Sequence, residues 1–270
     1  KKLQFIFRTK NNLHIIDRNG KNIAPYPIKF EGKNPKKLSV FDYDNNRNYR
    51  FLIVNDNQIK MIDKNANLVK GFKFSKTNNK ITNHVKHFRI MDKDYIIVQE
   101  ANGKLNILNR RGMERIKLNK KINLSENELF VFQNSFITID DKGYLIEIDT
   151  EGKVTVIKSL NIESILVSNR NTIVTMFENK ININNVSKKL PLSSYTKPQI
   201  FEINSKIYIS TTDIDNNLVY LFDSSGQIIE GFPTFGNTEI DMVYNNKSKS
   251  IKIIVGTNNS EISLIEIKRN

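Results

Sequence analysis

Apolar residues in this chain fall in short runs, and most runs are closed by Asp or Asn, two polar residues and often Gly. Leu13-His14-Ile15-Ile16 leads into Asp17-Arg18-Asn19-Gly20, and the run from Leu105 leads into Asn109-Arg110-Arg111-Gly112. The same phrase ends at Asp63, at Asp149-Thr150-Glu151-Gly152, at Asn185 and at Asp223-Ser224-Ser225-Gly226. It returns without its turn at Leu264 to Ile267. Runs this short, bounded by turn formers, predict strands rather than helices. Asp at the first position and Gly at the fourth suit a type I turn.

The closing Asp and Asn positions lie 46, 46, 40, 36 and 38 residues apart. Each interval holds a predicted hairpin: Leu3–Phe7 with Leu13–Ile16, Phe51–Val54 with Ile59–Ile62, Tyr95–Val98 with Leu105–Leu108, and Phe136–Ile139 with Tyr144–Ile148. Thr172–Phe177 with Ile181–Ile183, Ile207–Ser210 with Val219–Phe222, and Ile251–Val255 with Ile262–Ile267 follow. Flanking apolar segments predict a strand before most hairpins (Leu38–Phe41, Val85–Ile90, Leu129–Phe132, Ile165–Val167, Ile200–Ile203, Ile240–Tyr244). Others predict a strand after them (Ala24–Phe30, Leu68–Phe74, Glu114–Leu118, Val154–Ile157, Lys189–Leu192, Ile228–Phe232). Phe51-Leu52-Ile53-Val54 is apolar on both faces, as strands of stacked sheets must be. A period near 40 residues with several strands per unit predicts an all-β propeller of seven blades, each of up to four antiparallel strands. The first blade lacks its leading strand and the last its trailing strand. The expectation is one propeller domain over 1–270, an N-terminally truncated fragment of a longer chain whose upstream residues supply both.

Composition narrows the chemistry. Lys and Arg number 42 against 28 Asp and Glu, a net charge of +14, which makes a polyanion a partner to consider. The lysines are scattered rather than clustered on a readout element, which argues against nucleic acid. Cysteine is absent, so disulfides and thiolate metal sites are excluded. No apolar run reaches the ~20 residues that span a bilayer.

At the level of the repeat, Val40-Phe41-Asp42-Tyr43-Asp44-Asn45-Asn46 before Leu52-Ile53-Val54, and Asp223-Ser224-Ser225-Gly226 before Glu230-Gly231-Phe232-Pro233, resemble bacterial PQQ-like and FG-GAP-like propellers. The chain also resembles C-terminal propeller regions of envelope-associated bacterial proteins, some labelled ribonuclease H type two. The resemblance implies a propeller in the bacterial envelope. The quinone-dependent enzymes of the family use Trp-rich docking motifs, and the chain has no Trp, so no cofactor of that kind is expected. A ribonuclease site needs several carboxylates converging on two metals, whereas the Asp residues here sit in turns of different repeats.

Asp42, Asp44, Asn46 and Asn48 alternate as oxygen ligands for Ca²⁺ do, although Arg47 stands where a tight loop prefers Gly. Asp213, Asp215 and Asn217 repeat the pattern at a hairpin tip. The alternative reading of both is a polar turn whose side chains accept from backbone amides. Lys36, Lys37, Lys86, His87 and Arg89 fall where leading strands begin and form the candidate binding set at a channel mouth. Arg110, Arg111 and Arg115 read as a solvated face. His84 and His87 lack the further ligands that zinc needs. No nucleophile elbow, Walker loop or dinucleotide fingerprint is present. The expected function is therefore a monomeric, non-catalytic binding module with a protein or carbohydrate ligand. A carbohydrate lyase or hydrolase with a central-channel site, and a polyanion or nucleic-acid binder acting through its basic surface, are the alternatives.

Overall fold

In the computed structural model, which describes residues 4–30, 37–258 and 260–268, the chain folds into seven antiparallel sheets, and no helix occurs among the described residues. Its contacts divide it into two compact units: residues 1–124 with 149–154, and residues 125–148 with 155–270.

The first unit holds three sheets, each a meander of neighbouring strands. They are β1 (Gln4–Arg8), β2 (Asn12–Asp17) and β3 (Ile28–Lys29); β4 (Lys37–Phe41), β5 (Arg50–Asn55) and β6 (Gln58–Asp63); and β7 (Lys86–Ile90), β8 (Lys93–Gln99), β9 (Leu105–Leu108) and β10 (Glu114–Ile116). The second unit adds β11 (Phe130–Phe132) to β14 (Val154–Ser159), with β12 (Ser135–Ile139) and β13 (Tyr144–Ile148) between, although Val154 itself packs with the first unit. It continues with β15 (Ile165–Ser168), β16 (Ile173–Phe177), β17 (Lys180–Ile183) and β18 (Val186–Lys189). The sixth sheet is β19 (Gln199–Ile203), β20 (Lys206–Asp213), β21 (Leu218–Asp223) and β22 (Thr234–Phe235), and the last is β23 (Ile240–Asn245), β24 (Ser250–Gly256) and β25 (Ile262–Lys268).

The recurring Asp or Asn builds five of the turns in the same way. Asp17 Oδ1 accepts from the amides of Asn19 (2.8 Å) and Lys21 (3.0 Å), while its carbonyl accepts from Gly20 (3.0 Å). Asp63, Asn109, Asp149 and Asp223 repeat the double acceptance from the residues two and four ahead. One oxygen thus caps two amides that the ladder leaves unbonded.

Strands apolar on both faces are buried on both. Along β5, Phe51 and Ile53 pack with Leu13 and Ile15 of the first sheet, while Leu52 and Val54 pack with Ile96 and Val98 of the third. In the second unit Tyr220 and Phe222 of β21 face Val174 and Ile181, whereas Val219 and Leu221 face Ile251 and Ile253. Alternation at period two sorts one strand into two cores.

Four expected trailing strands fail as written. Of Ala24–Phe30 only Ile28–Lys29 is a strand, as β3. Leu68–Phe74 forms no strand; it touches β6 only through bridges at Leu68 and Lys76. The expected Lys189–Leu192 strand sits earlier, as β18, because the fifth repeat turns at Asn184-Asn185, with Asn184 at φ 51°, straight into Val186. The Ile228–Phe232 segment bridges once, at Ile228, and β22 follows it.

Candidate functional site

The leading strands β4 and β7 flank an open cleft of about 350 Å³ in the first unit, and its lining includes Phe41, Asp42, Lys86 and His87. Behind it a cluster of polar groups joins the second and third sheets. Asp94 opens the apolar run of β8 and is 6% exposed. Its Oδ1 lies 2.7 Å from His87 Nε2, and its Oδ2 lies 2.5 Å from Arg110 Nε. Arg110, on the turn after β9, also donates to Asp44 Oδ1 (2.6 Å) and Oδ2 (3.2 Å) and to the Tyr43 carbonyl (3.3 Å). Its guanidinium sits 4.8 Å from the Tyr43 ring centroid. Arg89 donates to the same carbonyl (3.2 Å), and its Nη1 lies 3.7 Å from Asp44. The Tyr43 ring meets His87 edge-on at 4.7 Å.

These neighbours set the protonation states. Burial lowers the His87 pKa and outweighs the pull of Asp94 in the opposite direction, so the imidazole is neutral near pH 7. The hydrogen bond from Arg110, aided by its charge, holds the Asp44 carboxyl below its ordinary value. Burial drives the Tyr43 phenol upward, and Asp94 adds to it. A neutral imidazole braced by a carboxylate is half of an acid–base pair. Here the carboxylate is itself clamped by a guanidinium, so the cluster chiefly couples two sheets.

Of the sequence-derived residues, Lys86, His87 and Arg89 come together on β7, and Lys37 begins β4; Lys36 lies outside the described residues. Asp42, Asp44, Asn46 and Asn48 occupy the turn after β4. Asp42 accepts from the amides of Asn46 (3.1 Å) and Arg47 (2.9 Å), Asn46 from the amide of Asn48 (2.9 Å), and Asn48 from Arg50 (2.9 Å). Calcium would enter only by displacing those donors and the Arg110 contact to Asp44. Asp213 is fully buried, with its carboxylate accepting from Ser193 Oγ and from Asn216 N and Nδ2 (both 2.9 Å). No group of three or more His, Asp or Glu residues suited to a metal ion occurs among the described residues.

Sequence reasoning overlooked Tyr43 and Asp94 and took Arg110 for a solvated residue. An acid placed directly before Tyr95-Ile96-Ile97-Val98 was the available signal, since a charge at the head of a buried strand needs a partner.

The chain matches no protein-family model and no curated protein. Among solved structures, BBS1N in complex with ARL6DN superposes with a TM-score of 0.63 at 12% identity, over 99% of this chain and 87% of that one. BamB from Moraxella catarrhalis gives 0.60 at 15% identity, over 98% and 81%. A catalytically inactive virginiamycin B lyase from Staphylococcus aureus with quinupristin gives 0.52 at 14%, over 98% of each chain. The fold is a β-propeller. Each of its seven sheets is a blade of three or four antiparallel strands. At these identities the likeness carries the fold alone, and the propellers it spans include one held in a protein complex and a lyase. No helix among the described residues is long and apolar enough to cross a membrane.

Proposed function

We propose that this propeller is a non-catalytic interaction module that binds a protein partner through the last blade. The supporting observation is the unequal treatment of that blade's two faces. Ile240, Met242, Ile251, Ile253 and Val255 are buried against the sixth blade. The register places Val243, Ile254, Ile262 and Leu264 together on the opposite face, where they are 45–76% exposed. Single exposed apolar residues are ordinary, but four on one face of one sheet mark a surface made for contact. Asp241 and Lys252 share that face and supply polar register. BBS1N, a propeller of the same fold, is held in complex with ARL6DN, which supports reading such a scaffold as a docking platform.

The test is photo-crosslinking in the cells that make the protein, with a benzophenone amino acid at Val243 or Ile262. A discrete adduct to another protein, lost in a Val243→Asp/Leu264→Glu double variant of unchanged melting temperature, is the expected result. Adducts only to a second copy of the chain, or none at either position, overturn the reading.

A further inference from the structure

Alternation along β1 and β2 gives the first blade two unlike faces. Ile6, Leu13 and Ile15 turn into the core shared with the second blade. The register sets Phe5 opposite Ile16 and Phe7 opposite His14 on the other face, which Asn12 and Lys29 continue. Phe5 is 50% and Phe7 42% exposed, on a strand that forms the edge of its sheet. The Phe7 and His14 rings stack with planes 2° apart and centroids 5.0 Å apart. Thr9 Oγ1, 3.3 Å from His14 Nε2, ties the imidazole to the β1–β2 turn. Phe5 meets no other ring among the described residues.

Lysines are scattered over the chain as a whole, but the first blade is basic throughout. Residues 4–30 carry Arg8, Lys10, Arg18, Lys21 and Lys29 against one acid, Asp17. The register turns Asp17 to the opposite face, and its carboxylate accepts from the amides of Asn19 and Lys21. All five cations are exposed, and none forms an ion pair among the described residues. Lys10, in the turn after β1, and Lys29 stand at the Phe7 end of the face. Arg18 and Lys21, in the turn after β2, stand at the Phe5 end.

We propose that this face binds single-stranded nucleic acid, stacking bases on Phe5 and Phe7 and drawing phosphates to the cations at its two ends. Side chains two apart on a strand stand about 6.8 Å from one another, twice the step of about 3.4 Å between stacked bases. One base therefore fits between the two rings. Other ligand classes leave part of the surface unused. A neutral sugar stacks on the rings but ignores the cations, and a sulfated sugar pairs with the cations but offers no flat ring. A duplex keeps its base faces covered. The face belongs to the first blade, so the protein contact of the last blade stands or falls without it.

The probes are fluorescein-labelled oligothymidylate and oligouridylate of about twelve nucleotides, read by anisotropy against the intact chain. An abasic strand of the same length and a duplex are the controls, all at one salt concentration. Saturable binding of the single strands is expected, and their relative affinities tell DNA from RNA as the source. Phe5→Ala/Phe7→Ala should raise Kd about tenfold or more at unchanged melting temperature, since both rings are half exposed. Phe5→Tyr/Phe7→Tyr keeps the stacking surface and should keep the affinity. Lys10→Ala/Lys29→Ala should lower the slope of log Kd against log salt by about 1.4. No binding of either strand at about 100 μM protein overturns the proposal. So does equal affinity for the abasic strand or the duplex, or equal affinity of the Phe5→Ala/Phe7→Ala variant. A benzophenone amino acid in place of Phe5 that crosslinks in cells to protein and to no nucleic acid would mean a second protein-docking face, and would also overturn it.

Discussion

Arg110 makes one side chain serve three partners: it donates to the Asp44 carboxylate and the Tyr43 carbonyl and forms an ion pair with Asp94. Because Asp94 is buried, removing the guanidinium leaves a carboxylate with only His87 for compensation. Arg110→Ala should therefore cost about 2 kcal/mol, below the range for fully buried pairs because the side chain is 35% exposed. Urea unfolding reads this directly. Arg110→Lys should recover little, since an ammonium cannot span both carboxylates. His87 sets a separate, pH-dependent effect. Its folded pKa lies below the ordinary 6.5, so in acid the unfolded chain binds a proton that the native state resists. Stability should be level above about pH 7 and fall as pH drops through about 6.5. His87→Gln should flatten that part of the melting-temperature profile. The carboxylates of Glu100 and Asp213 act in another window. Burial raises both, hydrogen bonds outweigh it, and their contribution is lost only as pH falls below the usual carboxylate range. Lys86 and His87 were legible from their place at the start of a strand, whereas Arg110 was not. Its partners arrive from Asp44, 66 positions earlier, and from the neighbouring strand, distances that no local pattern encodes.

Among the elements, the hairpins were the most legible, because each combines two apolar runs with a turn of specific chemistry. Trailing strands were less so. Leu68–Phe74 has the apolar content of a strand, yet its Phe72 and Phe74 side chains turn into the core between the second and third blades. Asn184-Asn185 takes a two-residue turn in place of the usual four-residue one and moves β18 forward. The closing glycines look alike in sequence but differ in what surrounds them. Gly20 and Gly112 both need positive φ, at +77° and +69°; a Cβ on Gly20 would meet open space, whereas one on Gly112 would stand 2.7 Å from Phe74 N. Gly20→Ala should cost about 1 kcal/mol from the backbone alone. Gly112→Ala should cost about 3 kcal/mol, because the backbone of Phe74 has to move as well. Parallel urea midpoints for the two variants provide the comparison.

For the whole molecule, the interval near 40 residues revealed the propeller because most blades close on the same turn. Candidate sites were far less visible, since their residues come together only across separate strands. The apolar face of the last blade, for instance, depends on how β23, β24 and β25 align. Net charge hinted at anionic partners without showing where they would sit.

The division of β5 between two cores has a mechanical corollary. Odd-numbered Phe51 and Ile53 anchor toward one side, and even-numbered Leu52 and Val54 toward the other. A slip by a single position would exchange both sets at once and ruin two interfaces together. Such a strand works like a rivet through adjoining plates, so neither the first nor the third blade can loosen from the second without the other being disturbed.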